Sequence, residues 1–248
     1  MEVRFIALVS GMLLSASCWS ADALFAVANN FYRPMKALSQ DFESQFPHHI
    51  EISTGATGQL YVQITQGAPF DLFFAADTVR PAKLVQARQA SEQFTYARGT
   101  LVLWSAQPKI AVKERLLSGA YTHLAMANPQ LAPYGLAAQQ ALEKMGLYTK
   151  IQDKIVQGKG LNPTFQFIAT GNAALGFVAK SQVYQNNHYQ SGSYWEVPFE
   201  DYAPIRQDAV VLPAGQTNEA AQAFLNYLKT DRAQNIIRSY GYRSVNER

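Results

Sequence analysis

The sequence is poor in cysteine and in charge. Cys18 is the single cysteine among 248 residues, which excludes an internal disulfide and a cluster of thiolate metal ligands. Charged residues make up 16 % of the chain and the net charge is only +3, whereas about a quarter of a typical globular sequence is charged. No lysine- or arginine-rich run is present, so a nucleic-acid surface is not indicated. Heptads and short repeats are also missing, which argues against a coiled coil or a solenoid.

The rest of the composition indicates a folded, globular protein. Hydrophobic residues make up 48 % and aromatic residues 12 % of the chain, which is too much for a disordered protein. A chain of 248 residues can bury a large core. This length is suitable either for one large domain or for two smaller lobes.

The N-terminal segment has the features of an export signal. Arg4 gives a short positive start, and residues 5–17 form an apolar run that is too short to span a membrane as a helix. Small residues precede a plausible cleavage point between Ser20 and Ala21. We therefore predict that residues 1–20 are a signal peptide and that the mature protein is exported. The alternative is an ordinary buried N-terminal helix.

Cys18 allows a second interpretation, as the lipid-bearing cysteine of a bacterial lipoprotein. Ser15, Ala16 and Ser17 precede it, and the leucine expected three positions upstream is missing. A soluble exported protein is therefore favoured over a lipid-anchored one.

Short apolar runs alternate with helical patterns along the rest of the chain, which predicts an α/β fold with mainly parallel sheets flanked by helices. In the first part, strands are predicted at residues 24–28, 50–53 and 71–75, and helices at residues 32–46 and 58–66. In the second part, strands are predicted at residues 123–127 and 174–179, and helices at residues 134–145, 148–156 and 162–167. Two final helices are predicted at residues 218–228 and 232–239.

Two extended apolar segments, residues 95–105 and 202–213, have the pattern of crossings between two lobes. The final helices follow the second crossing and are expected to return to the first lobe. We therefore predict a discontinuous first lobe (residues 21–98 and 208–248) and a second lobe (residues 99–207). A cleft between two such lobes is a natural ligand site.

The sequence contains no recognisable catalytic motif, so we predict a protein that is not an enzyme. The motifs HExxH, GxSxG, GxxxxGK[ST] and GxGxxG do not occur. His48 and His49 are adjacent and point in different directions, which makes a poor metal chelate. Asp71 and Asp77 are interpreted as ordinary loop or capping carboxylates.

Three predicted helix starts carry polar residues. Asn30 is the predicted N-cap of the first helix, with Pro34 in its first turn, and Thr57 is the predicted N-cap of the next. Asn162 is predicted to cap a later helix, with Pro163 at its first position. Each start exposes unpaired backbone N–H groups at the positive end of a helix dipole, so together they can hold an anion without a cationic side chain. The sequence alone does not establish that they converge.

Five runs of the sequence resemble one protein family over residues 24–242. They are AVANNFYRPMKAL, STGATGQLYVQITQGAPFDLFFAAD, YARGTLVLW, NPQLAPYGLAAQQAL and ALGFVAKSQV. The chain resembles the periplasmic molybdate-binding proteins of bacterial ABC transporters. The resemblance implies a two-lobed, type II periplasmic binding protein fold that holds a tetrahedral oxyanion between its lobes. It also implies delivery of molybdate, and of tungstate, to an inner-membrane permease by a monomer without a cofactor.

The resemblance also implies which residues bind the oxyanion, through backbone N–H groups and neutral side chains rather than by direct protein–metal bonds. Some family members use a tyrosine where this chain has Ala179, whereas others use the tyrosine of the PYG element, as this chain is expected to do. Asn29 and Ala56 depart from common family residues and are expected to shift the preference among oxyanions. The implied ligand residues are Asn29, Asn30, Thr57, Tyr134, Leu161 and Asn162.

Three alternative functions stay open at this point. The first alternative is a binding protein for another oxyanion, namely sulfate, phosphate or chromate. The second is a ferric-ion binding protein that uses some of the 13 tyrosines as ligands, although these tyrosines are scattered. The third is an enzyme on the same two-lobed scaffold, although no motif supplies a base or a nucleophile.

Overall fold

The computed structural model describes residues 22–243. The predicted signal peptide and Cys18 lie outside the described residues. Within residues 22–243, no helix is both long and apolar enough to cross a membrane.

The first of two five-stranded sheets is built from both ends of the described chain. Its strands are β1 (Asp22–Ala28), β2 (His49–Gly55), β3 (Leu72–Phe74), β4 (Ser91–Gly99) and β12 (Ile205–Val211), in the order β2-β1-β3-β12-β4. β1 pairs in parallel with β2 and β3, whereas β12 is antiparallel to β3 and β4. Four strands therefore run in one direction and β12 runs in the other.

The second sheet has the same plan. Its strands are β5 (Leu101–Ser105), β6 (Leu124–Ala127), β7 (Ile155–Gly158), β8 (Leu175–Ala179) and β11 (Ser193–Glu196), in the order β11-β5-β8-β6-β7. β6 is parallel to β7 and β8, and β5 is antiparallel to β8 and β11. The reversed strand is β5, which follows β4 after Thr100. A separate hairpin is formed by β9 (Tyr184–Gln185) and β10 (His188–Tyr189).

Helices connect the strands and flank the sheets. The α-helices are α1 (Tyr32–Glu43), α2 (Thr57–Thr65), α3 (Val79–Gln86), α4 (Val112–Ser118), α5 (Pro133–Lys144), α6 (Leu161–Ala169), α7 (Lys180–Val183), α8 (Glu219–Leu228) and α9 (Asp231–Ser239). Short 3-10 helices cover Asn29–Phe31, Tyr148–Lys154, Phe199–Asp201 and Ala214–Gln216. The predicted α/β class, with sheets flanked by helices, is confirmed.

Each sheet has its own buried core. On the first sheet, α8 packs through Phe224, whose ring lies 4.9 Å from Phe25 and 5.3 Å from Phe42. The 0 % exposure of Phe25, Ala26 and Val27 explains why β1 reads as an unbroken apolar run, since both faces of such a strand are covered.

One predicted helix is wrong at its last two residues. Residues 148–156 were expected to form a single helix, but the 3-10 helix ends at Lys154 and β7 begins at Ile155. Ile155 and Val156 are β-branched, which favours a strand, and β7 gains a full parallel pairing with β6.

Candidate functional site

Three helix starts meet between the two sheets. They are the 3-10 helix at Asn29, α2 after Ala56, and α6 after Gly160. A Cβ atom added to Gly160 would lie 2.6 Å from Nδ2 of Asn29 and 3.2 Å from Cβ of Ala56. Because first-turn N–H groups lack partners within their own helix, this approach gathers backbone donors and the positive ends of helix dipoles from both sheets.

Asn29 links the two sides of this meeting point. Its Oδ1 accepts hydrogen bonds from Oγ1 of Thr54, at 3.1 Å, and from Nδ2 of Asn162, at 3.4 Å. Thr54 belongs to β2 of the first sheet, whereas Asn162 belongs to α6, which packs on the second sheet. The acceptor of the Asn29 side chain is therefore already occupied, and its bond to Asn162 crosses the cleft.

Thr57 is buried at the start of α2 but is not its N-cap. The predicted cap was wrong by one residue, because Ala56 has the extended conformation of an N-cap and Thr57 is the first helical residue. The Oγ1 atom of Thr57 instead accepts the backbone N–H of Ala76 at 3.1 Å. This bond uses an oxygen lone pair and leaves the hydroxyl proton available to donate.

Asn30 is also not an N-cap. It lies within the 3-10 helix, and Phe31 occupies the N-cap position of α1. Its side-chain Nδ2 donates to Oε1 of Gln207, at 2.7 Å, and to the hydroxyl of Tyr242, at 2.8 Å. Both amide hydrogens are thus used in the protein interior, so an anion in the cleft can use only the backbone N–H of Asn30 as a donor.

The start of α6 lies two residues earlier than predicted. Gly160 is the N-cap and Leu161 is the first helical residue, so Asn162 is not the cap and Pro163 is third rather than first. Gly160 is fully extended. Its carbonyl oxygen accepts two hydrogen bonds from Thr164, one from the backbone N–H at 3.3 Å and one from the side-chain hydroxyl at 2.9 Å. The backbone N–H groups of Leu161 and Asn162 lie in the first turn, where donors have no intrahelical partner.

Tyr134 lies in the first turn of α5 and is 2 % exposed. Its hydroxyl accepts a hydrogen bond from Nε2 of Gln207 at 3.2 Å. Burial raises the pKa of Tyr134 well above the ordinary value of 10, so the phenol keeps its proton as a donor. Ala179 ends β8, is fully buried and has no hydroxyl to offer.

Further contacts join the two sides around these residues. The backbone N–H of Gly58 donates to the carbonyl of Leu131 at 3.0 Å. Nη2 of Arg80 donates to the carbonyl of Gln130 at 2.8 Å. Because Gly58 and Arg80 follow strands of the first sheet while residues 130 and 131 follow β6 of the second, the two lobes contact each other in this structure.

The histidines and carboxylates singled out in the sequence lie elsewhere. His49 pairs with Glu43 at 3.0 Å, and the ring of His48 stacks on Phe42. Asp71 accepts the backbone N–H of Leu24 at 2.7 Å, and Asp77 pairs with Arg80. Among residues 22–243, no group of three or more histidine, cysteine or acidic side chains is placed to hold a metal ion.

Two residues of this region were missed by sequence reasoning. Gln207 is fully buried in β12, and no local signal in the sequence indicates this, because the charged residues Arg206 and Asp208 flank it. Gly160 was also missed, although the close approach that it permits has no local sequence signal, because it depends on contacts with residues more than 100 positions away.

Comparisons with known proteins agree with this geometry. The family described as bacterial extracellular solute-binding protein matches residues 23–243. The chain is 46 % identical over 243 residues to the molybdate-binding protein ModA of Azotobacter vinelandii, covering 96 % of both chains. It is 45 % identical over 240 residues to ModA of Rhodobacter capsulatus, covering 96 % of this chain and 93 % of that one.

A solved structure supports the same assignment. The periplasmic molybdate-binding protein of Azotobacter vinelandii superimposes with a TM-score of 0.86 at 37 % identity, covering 90 % of this chain and 99 % of that one. These relatives are binding proteins and not enzymes. The chain belongs to the bacterial extracellular solute-binding proteins and, within them, to the family of the molybdate-binding proteins.

Proposed function

We propose that this protein captures molybdate in the cleft between its two lobes, as the substrate-binding component of an ABC importer. The observation that supports this most directly is the meeting of three helix starts at Gly160, within 2.6 Å of Asn29 and 3.2 Å of Ala56 for an added Cβ atom. Molybdate is the transported ligand, and the function needs no cofactor.

The proposed ligand donors are all uncharged. They are the first-turn backbone N–H groups at the three helix starts and two hydroxyl protons, from the residues Asn29, Asn30, Thr57, Tyr134, Leu161 and Asn162. Removing a doubly charged anion from water is costly unless its oxygens are hydrogen-bonded. Fixed N–H and O–H donors meet that need, and each hydrogen bond to a charged group is worth about 1.5–3 kcal/mol.

The selectivity that we propose depends on protonation and on size. Donors without a facing acceptor favour a fully deprotonated anion, so phosphate, which still carries a proton near neutral pH, binds poorly. Sulfate and chromate are fully ionised, so they must be distinguished by the size of the cavity. Tungstate is nearly the same size as molybdate and is expected to bind alike.

We further propose that the lobes are residues 21–98 with 208–248 and residues 99–207, and that the ligand closes them. Because the donors are divided between the lobes, all of them reach the anion only in the closed form, so the ligand shifts an open–closed equilibrium. The closed monomer is then recognised by an inner-membrane permease. Residues 1–20 are proposed to direct export to the periplasm, without lipid at Cys18.

Isothermal titration calorimetry of the mature chain with molybdate, tungstate, sulfate and phosphate tests the proposal. We expect tight binding of the first two anions, much weaker binding of sulfate and none of phosphate. Tyr134→Phe and Thr57→Ala each remove one hydroxyl donor and are expected to weaken molybdate binding by about 1 kcal/mol, or about fivefold.

Two results would count against the proposal. Sulfate that binds as tightly as molybdate would remove the argument from cavity size. Unchanged affinity in both variants would remove these hydroxyls from the site.

A further inference from the structure

Gln207 is a fully buried side chain of β12 that joins residues on both sides of the cleft. Its Oε1 accepts Nδ2 of Asn30 at 2.7 Å. The hydroxyl of Tyr96 lies 3.0 Å from the same oxygen and 2.8 Å from the carbonyl of Ala75, and its one proton is shared between these two acceptors. Its Nε2 donates to the hydroxyl of Tyr134 at 3.2 Å. Asn30 follows β1 of the first sheet and Tyr134 lies on α5, which packs on the second. One amide therefore contacts a proposed ligand residue from each lobe.

The carbonyl of Asn30 sets the direction of the hydrogen bonds that lead from Asn30 to Gln207. That oxygen accepts the hydroxyl protons of Ser181, at 2.6 Å, and of Tyr242, at 2.8 Å. The one proton of Tyr242 is used there or on Oγ of Ser181, at 3.1 Å, so its oxygen accepts from the side chain of Asn30, at 2.8 Å. Nδ2 of Asn30 must then give its other hydrogen to Oε1 of Gln207, which turns Nε2 of Gln207 toward Tyr134.

This order has a consequence for Tyr134. Its hydroxyl oxygen accepts from Gln207, so its own proton is not used on Gln207 and stays available to donate. The missing side chain of Gly99 gives the pair its room, because a Cβ atom there would lie 2.0 Å from Oη of Tyr134 and 2.7 Å from Nε2 of Gln207. The close packing leaves the phenol little freedom to reorient.

From these contacts we infer that Gln207 is a positioning residue that directs the hydroxyl proton of Tyr134 to the bound oxyanion. This inference rests on the proposed function. Gln207 does not touch the anion itself. It acts by occupying the lone pair of Tyr134 and by holding the side chain of Asn30, which fixes the backbone around that residue.

A double-mutant cycle with molybdate as the probe tests this role. In the wild-type background, Tyr134→Phe is expected to weaken binding about fivefold. In the Gln207→Met background, where Tyr134 is no longer held, the same change is expected to cost less than about twofold, because the two residues act as a unit. Gln140→Met is the matched control. Gln140 lies on α5, the helix that carries Tyr134, and its side chain accepts a hydrogen bond from the backbone N–H of Ala203. Its effect and that of Tyr134→Phe are expected to be additive.

Gln207→Glu is expected to make molybdate affinity depend on pH, which a purely structural role of Gln207 would not do. Three protonated phenols face this position, from Tyr96, Tyr134 and Tyr242, and the neighbouring Asp208 is held by Gln93 and Thr95. A buried carboxyl group has a raised pKa, so near pH 6 it is neutral and can donate to Tyr134 as the amide does. Near pH 9 it is ionised and accepts the Tyr134 proton. We expect affinity within about threefold of wild type at pH 6 and at least about tenfold weaker at pH 9, while wild-type affinity stays constant.

The outcomes separate the inference from the proposed function. A wild-type protein that does not bind molybdate would overturn both. If wild type binds molybdate but Tyr134→Phe costs the same in both backgrounds, Gln207 does not position Tyr134 and only the inference fails. If Gln207→Met does not fold, the isosteric Gln207→Glu variant decides alone, and an affinity that is equally reduced at pH 6 and pH 9 would overturn the inference.

Discussion

Gly160→Ala is the substitution that most directly tests the meeting of the three helix starts. Gly160 is fully extended, with φ near −174° and ψ near −177°, a conformation that alanine adopts without strain. The added methyl group therefore changes the local backbone little. It would lie 2.6 Å from Nδ2 of Asn29 and 3.2 Å from Cβ of Ala56, so its effect comes from atoms across the cleft.

The size of the effect follows from what must move. The Asn29 side chain has to turn away, which breaks its hydrogen bonds to Thr54 and Asn162. Ala56 has to retreat by a few tenths of an ångström. Two neutral hydrogen bonds at about 0.5–1.5 kcal/mol each predict a loss of about 1–3 kcal/mol in the closed form. That corresponds to molybdate binding about 5–150-fold weaker.

The stability of the ligand-free protein should change in the opposite direction. Because the clash arises only where the lobes meet, an open protein does not experience it. Replacing glycine by alanine at a compatible position stabilises a protein by about 0.4–1 kcal/mol, since the unfolded chain has less freedom to lose. Gly160→Ala should therefore bind molybdate less tightly and unfold at the same or a slightly higher urea concentration.

Calorimetry with molybdate and urea unfolding without it measure the two effects. Gly55→Ala is a matched control, because a Cβ atom there meets only the side chain of Leu60, at 3.3 Å, within the same lobe. Asn29→Ala in the Gly160→Ala background removes the clashing side chain, so the double variant should bind no more weakly than Asn29→Ala alone. An affinity of Gly160→Ala within twofold of wild type would refute the reasoning. So would a loss of ligand-free stability as large as the loss of binding.

Three further predictions concern closure, stability and pH. Arg80→Met removes the donor to the carbonyl of Gln130 and leaves the proposed ligand donors in place. Calorimetry should therefore give about threefold weaker binding of both molybdate and tungstate. Unchanged affinity would contradict a role of Arg80 in closure. Phe224→Ala empties the centre of the first core and should lower the free energy of unfolding by about 3–5 kcal/mol, measured with urea; a loss below about 1 kcal/mol would contradict the packing. Burial raises the pKa of Tyr96, Tyr134 and Tyr242 above 10. The contribution of these protonated phenols to the free energy of unfolding is therefore fully present below pH 10. That contribution is lost as the pH rises further, because only the unfolded phenols release their protons. Urea unfolding at pH 8 and pH 11 checks the direction, and equal stability at the two values would contradict it.

The strands that carry the site could be predicted from the sequence because each one is buried on both faces. Residues 24–28 and 72–75 are unbroken apolar runs, and β1 and β3 lie there. The start of α8 was also predictable, since Asn218 accepts the backbone N–H of Ala221 at 3.1 Å, as a local N-cap does. The N-cap bond of α8 lies within three residues, and burial of a strand on both faces shows directly as a local apolar run.

The three capping predictions at the site were wrong for the opposite reason. Asn30 uses its side chain on Gln207 and Tyr242, which are 177 and 212 positions away. Thr57 uses its hydroxyl oxygen on Ala76. A long-range partner of this kind competes with the local cap, so preference at the N-cap cannot predict the outcome. Ala56 and Gly160 take the cap positions because small residues allow the lobes to approach.

The same competition explains how neutral residues can select an anion. The long-range partners consume acceptors. Oδ1 of Asn29 and the carbonyl of Asn30 each accept two hydrogen bonds from protein groups, and Oε1 of Gln207 accepts from the side chain of Asn30. Two hydroxyl donors remain, because the oxygens of Thr57 and Tyr134 accept hydrogen bonds from Ala76 and Gln207 and keep their own protons. A ligand that carries a proton would need one of those three acceptors and would have to break an existing bond, which costs about 1–3 kcal/mol for each buried group left unpaired. The discrimination that we propose against phosphate therefore arises from hydrogen bonds within the protein, and the net charge of +3 has no part in it.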